Sequence, residues 1–286
     1  MSLWAGLPLD RPKIMGILNI TPDSFSDGGV YFDHATAIDA GLAMLAEGAD
    51  IIDVGGESTR PGARAITAIE EQARIIPVIR RLAQCGALVS VDSRNALTMI
   101  AALDAGARIV NDVSALNYDP EARRVVADSG CPVVLMHMRG TPETMLSRAT
   151  YKDVVAEVMA ELSGQVEAAL SAGIRSDSIA VDPGIGFAKT ADQSVMVLRR
   201  LDDFKAMGYP VVVGVSRKSF IGRVVAEPDP ARRLGGSLAA ALFAVQRGAS
   251  IVRVHNVCET VQALRMWHFL RDSRTVSGVQ ERNESV

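Results

Sequence analysis

Apolar runs of strand length alternate along this chain with longer segments of helical periodicity. The first run, Ile14 to Ile20, is apolar apart from Gly16 and Asn19, and its length suits a strand buried on both faces. Pro22 stops it, because proline has no N–H for a ladder and restricts the residue before it. Further strands are expected at Asp50–Val54, Leu88–Val91, Arg108–Val110, Pro132–Met136, Ile179–Val181, Val211–Val215 and Ile251–Val254. Helices are expected over 33–48, 67–84, 95–105, 119–129, 151–172, 191–207, 231–247 and 257–271. Asp119-Pro120-Glu121 is expected to cap one of them with proline at its first position, and Asn256 with Glu259 to cap the last. The tail 274–286 has no apolar periodicity and is expected to be disordered.

Eight strand-and-helix units with no linker between them imply a parallel sheet, and eight units imply its closure into a single-domain (β/α)8 TIM barrel over residues 1–273. A doubly wound open sheet is the runner-up, but no strand is followed by G-x-G-x-x-G.

The strands stay apolar until their last residues. These are Asn19, Asp92, Asn111, His137, Asp182, Ser216 and the pair Arg253/His255, and in a barrel such ends meet at the C-terminal face, where active sites are built. Asp92, Asn111, Asp182 and Lys218 offer acceptors, a two-way amide and a charged donor, a set that suits the edge of a flat heterocycle with N–H groups and carbonyls. Asn19, Thr59, Arg253 and His255 suit a phosphate or pyrophosphate with its metal. Arg253 has an alternative role, an internal ion pair with Asp92 or Asp182, and His137 and His255 have the alternative of satisfied core histidines. Ser216-Arg217-Lys218-Ser219 opens a helix whose free N–H groups could take a carboxylate at Ser219. In Asp182-Pro183-Gly184-Ile185-Gly186-Phe187, glycine allows close backbone approach to a ligand, and Phe187 could wall an aromatic one. The first loop carries two acids, Asp23 and Asp27. Residues 21–33 and 57–64 hold few core anchors and are expected to be mobile without ligand.

Composition narrows the classes. A net charge of −3 gives no basic footprint for nucleic acid, and no apolar run approaches the roughly 20 residues of a membrane helix. The N-terminus lacks the charged and apolar regions of a signal peptide. Cys85, Cys131 and Cys258 are far apart and in no metal spacing, so free thiols in a reducing cytoplasm are expected. With no His/Cys cluster for zinc, one amide oxygen plus substrate phosphates suits Mg2+. Only five of the 30 basic residues are lysine, at 13, 152, 189, 205 and 218, so a lysine in an apolar, glycine-rich context carries information.

The motifs resemble those of the dihydropteroate synthases, the pterin-binding enzymes of folate biosynthesis, over residues 12–271. The resemblance rests on Met15–Gly29, Asp53–Gly62, Ser90–Ser93, Asn111–Leu116, Met136–Pro142, Asp182–Phe187, Gly214–Ser219 and Arg253–Val257. It implies a (β/α)8 barrel, a homodimer, and a transferase that joins 6-hydroxymethyl-7,8-dihydropterin pyrophosphate to p-aminobenzoate. It also implies that Asp92, Asn111, Asp182 and Lys218 hold the pterin, that Asn19 binds magnesium, and that Thr59, Arg253 and His255 hold the pyrophosphate. Gly186 would bind substrate, and Pro61, Phe187, Lys218 and Ser219 would line the p-aminobenzoate site, where sulfonamides compete. Phe25, Asp27 and Arg60 would close over it, and Asp27, Lys218, Arg253 and His255 would carry the chemistry. Three positions depart from the family pattern. Asn256 stands for the usual aspartate, Ala188 for glycine, and Ser93-Arg94 for Thr-Ser or Thr-Tyr. Two other classes compete: a methyltetrahydrofolate-binding methyl transferase barrel and a degenerate, non-enzymatic partner subunit. Intact Ser-Arg-Lys-Ser and Arg-Val-His runs argue against the first, and intact Asp27 and Lys218 against the second.

Overall fold

The computed structural model describes residues 3–21, 34–60 and 62–271. Phe25, Asp27, Pro61 and the tail 274–286 lie outside the described residues. The chain begins with a short antiparallel hairpin, β1 (Leu3–Trp4) and β2 (Leu7–Pro8). Eight parallel strands follow: β3 (Lys13–Asn19), β4 (Ile51–Gly55), β5 (Val89–Asp92), β6 (Ile109–Asp112), β7 (Val133–Met136), β8 (Ile179–Asp182), β9 (Val212–Gly214) and β10 (Ile251–Val254). Each pairs with its neighbours in sequence, β10 returns to β3, and a parallel bridge between Val181 and Val211 joins β8 to β9. The expected TIM barrel is therefore the observed fold.

Among the described residues ten α-helices surround the sheet: α1 (His34–Ala46), α2 (Ala68–Gln84), α3 (Ala96–Asp104), α4 (Ala122–Ser129), α5 (Val154–Ser171), α6 (Ala191–Arg199), α7 (Leu201–Lys205), α8 (Ser219–Val225), α9 (Leu234–Gln246) and α10 (Val257–Arg271). Thr67 and Thr190 close capping boxes with Glu70 and Gln193, which fixes where α2 and α6 begin. Two expectations fail in detail. The helix expected over 191–207 breaks at Arg200, which leaves helical geometry (φ −111°, ψ 33°), and the second piece turns to bury Leu201 and Phe204. Asp119 caps the turn that precedes α4 rather than α4 itself. Its carboxylate accepts from Glu121 N (3.0 Å) and from Ala96 N (2.9 Å) at the start of α3, so α4 begins two residues beyond Pro120.

The sheet separates two cores. The larger fills the space between strands and helices. The smaller lies inside the barrel at its N-terminal end, where Met15, Ile51, Ile109, Val134, Ala180, Val212 and Ile251 surround Trp4. Trp4 is almost fully buried and donates its indole N–H to Ser178 O at 3.0 Å. The hairpin thus stoppers the bottom of the barrel, a role that the sequence reading gave to no residue. Side chains alternate along a strand, so positions two residues beyond this apolar layer also face inward, nearer the mouth.

Candidate active site

Strand register sets the mouth. Asn19 pairs with Gly55, Gly55 with Asp92, and Asp92 with Asn111, so these four residues stand level across β3 to β6. Below them, Asp53 on β4 and Arg253 on β10 reach each other inside the barrel past β3, the strand between them. The Arg253 guanidinium donates Nε to Asp53 Oδ2 and Nη2 to Asp92 Oδ2, each at 2.6 Å, and Asn111 Nδ2 donates to the same Asp53 oxygen at 3.0 Å. The ion pair foreseen as one role for Arg253 is real, with Asp92 and Asp53 rather than Asp182. Burial works against the Arg253 charge, but the two carboxylates hold it firmly protonated. Burial pushes the Asp92 carboxyl up; Arg253 opposes this and Asp53 adds to it. The Oδ1 atom of Asp53 is buried and has no hydrogen-bond partner among the described residues, so an acceptor is held ready there for a ligand donor.

The turn after β8 forms the next wall. Asp182 is buried and its Oδ1 accepts from Gly184 N at 2.7 Å. Burial raises its pKa, against the pull of Lys218. Lys218 donates Nζ to Ile185 O and lies 4.6 Å from the centre of the Phe187 ring. Burial brings this lysine down to about 8. Gly186, at φ +80°, lies so close that an added Cβ would come within 3.2 Å of the Lys218 side chain. Asp182, Gly186, Phe187 and Lys218 thus form one wall.

His255 stands at the end of β10 with Nδ1 3.0 Å from Ser216 Oγ, which also accepts from His255 N at 3.2 Å. A Ser216 hydroxyl that donates to Nδ1 puts the imidazole proton on Nε2. Burial, then Arg217 and Arg253, lower the His255 pKa to about 3, so the ring is neutral at neutral pH. Thr59 is half-buried, Arg60 and Ser219 are exposed, and Asn19 is half-buried at the tip of β3. Arg60 is near enough to disfavour a charge on His255.

The second loop has more anchors than its composition suggests. Glu57 makes a buried ion pair with Arg94 at 2.8 Å, Arg74 Nη1 donates to Gly56 O at 2.8 Å, and Gly62 N donates to Pro142 O at 3.1 Å. The unusual Arg94 therefore ties down the base of that loop. Asn256 does not use its amide on the last helix. Its Oδ1 accepts from Arg217 Nη2 at 2.8 Å, which steadies a residue held at φ +60°. Ala188 also sits in the left-handed region, at φ +47°, where glycine is favoured, and its carbonyl accepts from Tyr151 Oη at 2.9 Å.

His137 does not point into the mouth. It follows Met136, and the alternation that turns Val134 inward turns His137 out toward α5. There its Nε2 meets Glu161 at 2.9 Å and its Nδ1 meets Lys189 Nζ at 2.9 Å. Sequence alone assigns no role to two residues of weight, Asp53 and Lys189. Asp53 could have been found as an acid inside the apolar run Ile51-Ile52-Asp53-Val54, and Lys189 as one of five lysines, directly after Gly-Ile-Gly-Phe-Ala.

The model of the pterin binding enzyme family matches residues 15–255. The dihydropteroate synthase of Synechocystis sp. is 45% identical over 261 residues, covering 89% of this chain and 90% of that protein. A solved structure of Xanthomonas albilineans dihydropteroate synthase with 4-aminobenzoic acid is 46% identical and superposes with a TM-score of 0.89, covering 94% of this chain and 97% of that one. The same enzyme in complex with 7,8-dihydropteroate superposes with a TM-score of 0.85 at 44% identity, with the same coverage. With the barrel, the family match and these relatives in agreement along most of its length, the chain belongs to the pterin binding enzymes and, within them, to the dihydropteroate synthases.

Proposed function

We propose that this enzyme joins 6-hydroxymethyl-7,8-dihydropterin pyrophosphate to p-aminobenzoate, giving 7,8-dihydropteroate and pyrophosphate. The observation that carries the reading is the buried polar centre in which Asp53, Asp92 and Asn111 surround Arg253, next to the wall of Asp182 and Lys218. Buried carboxylates accept from the paired N–H groups of an aminopyrimidinone, and each such charge-assisted bond is worth roughly 1.5–3 kcal/mol. In this reading Asp92, Asn111, Asp182 and Lys218 hold the pterin edge. The third guanidinium nitrogen of Arg253 donates to no group among the described residues and faces the pyrophosphate with Thr59 and His255.

The C–O bond between the pterin methylene and the pyrophosphate breaks first, and the electron pair leaves on oxygen. Arg253 and the His255 Nε2–H stabilise the charge that develops there. The pterin ring delocalises the positive charge left on the methylene, and Asp27 stabilises it. The arylamine nitrogen then attacks the methylene and loses its proton. Lys218 and Ser219 hold the arylamine's carboxylate, Phe187, Gly186 and Pro61 line its ring, and Phe25 and Arg60 help exclude water. Among the described residues no group of three or more His, Cys, Asp or Glu could hold a metal ion. Asn19 would hold a magnesium ion together with phosphate oxygens and water. When bound, the ion supplies positive charge beside the pyrophosphate.

The enzyme pairs with a second copy of itself. Exposed Met196, Val224 and Val225 lie on the adjoining helices α6 and α8, a patch of the kind that an interface covers. Its compartment is the cytoplasm, which fits three unpaired cysteines. The functional test is pyrophosphate release from the purified protein. Release that requires both the pterin pyrophosphate and p-aminobenzoate is expected. Release that is indifferent to p-aminobenzoate would contradict the reading.

A further inference from the structure

Lys189 is buried to 3% exposure, and its ammonium touches no carboxylate among the described residues. Its three acceptors are all neutral: His137 Nδ1 at 2.9 Å, Gly184 O at 3.1 Å and Phe187 O at 3.1 Å. An ammonium has three donors, so all are used. Burying such a group among neutral partners is costly, and burial brings its pKa down to about 7. A hydrophobic side chain would fill the space at less cost, so the arrangement points to a task.

The acceptors indicate the task. Two are backbone carbonyls of the turn that carries Gly186 and Phe187. The third belongs to the strand packed beside that turn, where His137 N also donates to Asp182 O at 2.9 Å. Because an ammonium only donates, His137 Nδ1 must accept, so the imidazole carries its proton on Nε2 and gives it to Glu161 Oε2 at 2.9 Å. Glu161 is held in turn by Arg139 Nε at 3.0 Å. Lys189 on the outer side of the turn and Lys218 on the inner side hold adjacent parts of one backbone. Lys189 takes Gly184 O and Phe187 O, and Lys218 takes Ile185 O while its charge lies over the Phe187 ring.

We propose that Lys189 is a positioning residue for the arylamine acid: with His137 and Glu161 behind it, it fixes the Gly184–Phe187 turn and so sets where the Phe187 ring stands relative to Lys218. The proposal rests on the reading that Phe187 and Lys218 line the p-aminobenzoate site. Of the pterin contacts, Asp92 and Asn111 lie on other strands and do not depend on this turn, whereas Asp182 and Lys218 touch it through Gly184 N and Ile185 O.

The test is steady-state kinetics of Lys189→Met, which keeps an unbranched apolar stem one atom shorter and removes the donors, beside the wild type and Glu161→Gln. The KM for p-aminobenzoate should rise about tenfold in Lys189→Met and the KM for the pterin pyrophosphate, still held by Asp92 and Asn111, by about threefold at most, a split that general loosening does not produce. Glu161 is partly exposed, so Glu161→Gln tolerates the change and should raise the same KM by about threefold. Equal rises in both KM values, or no change in a folded Lys189→Met, would overturn the proposal. If Lys189→Met does not fold, an unchanged p-aminobenzoate KM in Glu161→Gln overturns it instead. Failure of the wild type to form product would sink the functional reading and is seen separately in the same experiment.

Discussion

The two ends of the barrel are built from the same strands and differ in almost everything else. At the bottom, Met15, Ile51, Val212 and Ile251 close around Trp4. Two residues further along β4 and β10 the inward positions are Asp53 and Arg253, held at 2.6 Å. The bottom consists of dispersion contacts and area removed from water, which stabilise the fold and offer a ligand nothing. The mouth consists of charges that cost free energy to bury and are held in place by one another. Stability and function are therefore separable along a single strand, and residues two apart should respond to substitution in opposite ways.

The largest expected effect lies at the bottom. Trp4→Ala removes the stopper and leaves a cavity, and the unfolding free energy in urea should fall by roughly 3–5 kcal/mol. Substrate KM values of the folded fraction should not move, and a large KM change would break the separation of the two ends. Next is Asp53→Asn at the mouth. It keeps the shape but removes the charge that orients Arg253 and Asn111, so kcat/KM should fall about a hundredfold, or about 2.7 kcal/mol. Its urea midpoint should hold or rise, because Asp92 still pairs with Arg253 and the excess buried negative charge has gone.

A third prediction uses pH. Lys189 and Lys218 are brought down to about 7 and about 8 by burial, from an ordinary 10.5. Between these values and 10.5 the unfolded chain binds more protons than the native one, so stability contributed by these sites rises with pH, by up to about 1.4 kcal/mol per unit for each lysine. The same deprotonation removes donors from the Phe187 wall, so the KM for p-aminobenzoate should worsen from pH 7 to 9 as the urea midpoint climbs. Lys189→Met should flatten part of both trends. The smallest effect is at Ala188. Ala188→Gly relieves a left-handed alanine at φ +47°, and the melting midpoint should rise by the equivalent of about 1 kcal/mol at most, with little change in turnover.

Much of this contrast was legible in the sequence, because period-2 alternation and apolar runs fix strands, and polar strand ends in a barrel share one face. Asp92, Asn111, Asp182, Lys218 and Arg253 were all found that way. What escaped depends on side-chain direction and on partners distant in sequence. His137 ends a strand as Asp182 does, but its parity turns it outward. Asp53 was hidden in the middle of its strand, since only the barrel interior reveals that such a residue reaches Arg253 200 positions away. Trp4 lies in a run too short to show a period. Glu57 and Arg94 fix the second loop through a pairing 37 residues apart, which no local pattern announces. The first loop, with Phe25 and Asp27, lies outside the described residues.

The most direct measurement of the mouth's role is calorimetric titration of dihydropterin into wild type and Asp182→Ala, with melting curves taken on the same samples. If the Asp182 carboxylate accepts from the pterin N–H groups, affinity should fall at least about tenfold, since a charge-assisted bond of roughly 1.5–3 kcal/mol is lost. The melting midpoint should stay near that of the wild type, because the apolar bottom of the barrel is untouched. Unchanged dihydropterin affinity in a folded Asp182→Ala would contradict the assignment of the buried polar mouth as the pterin site.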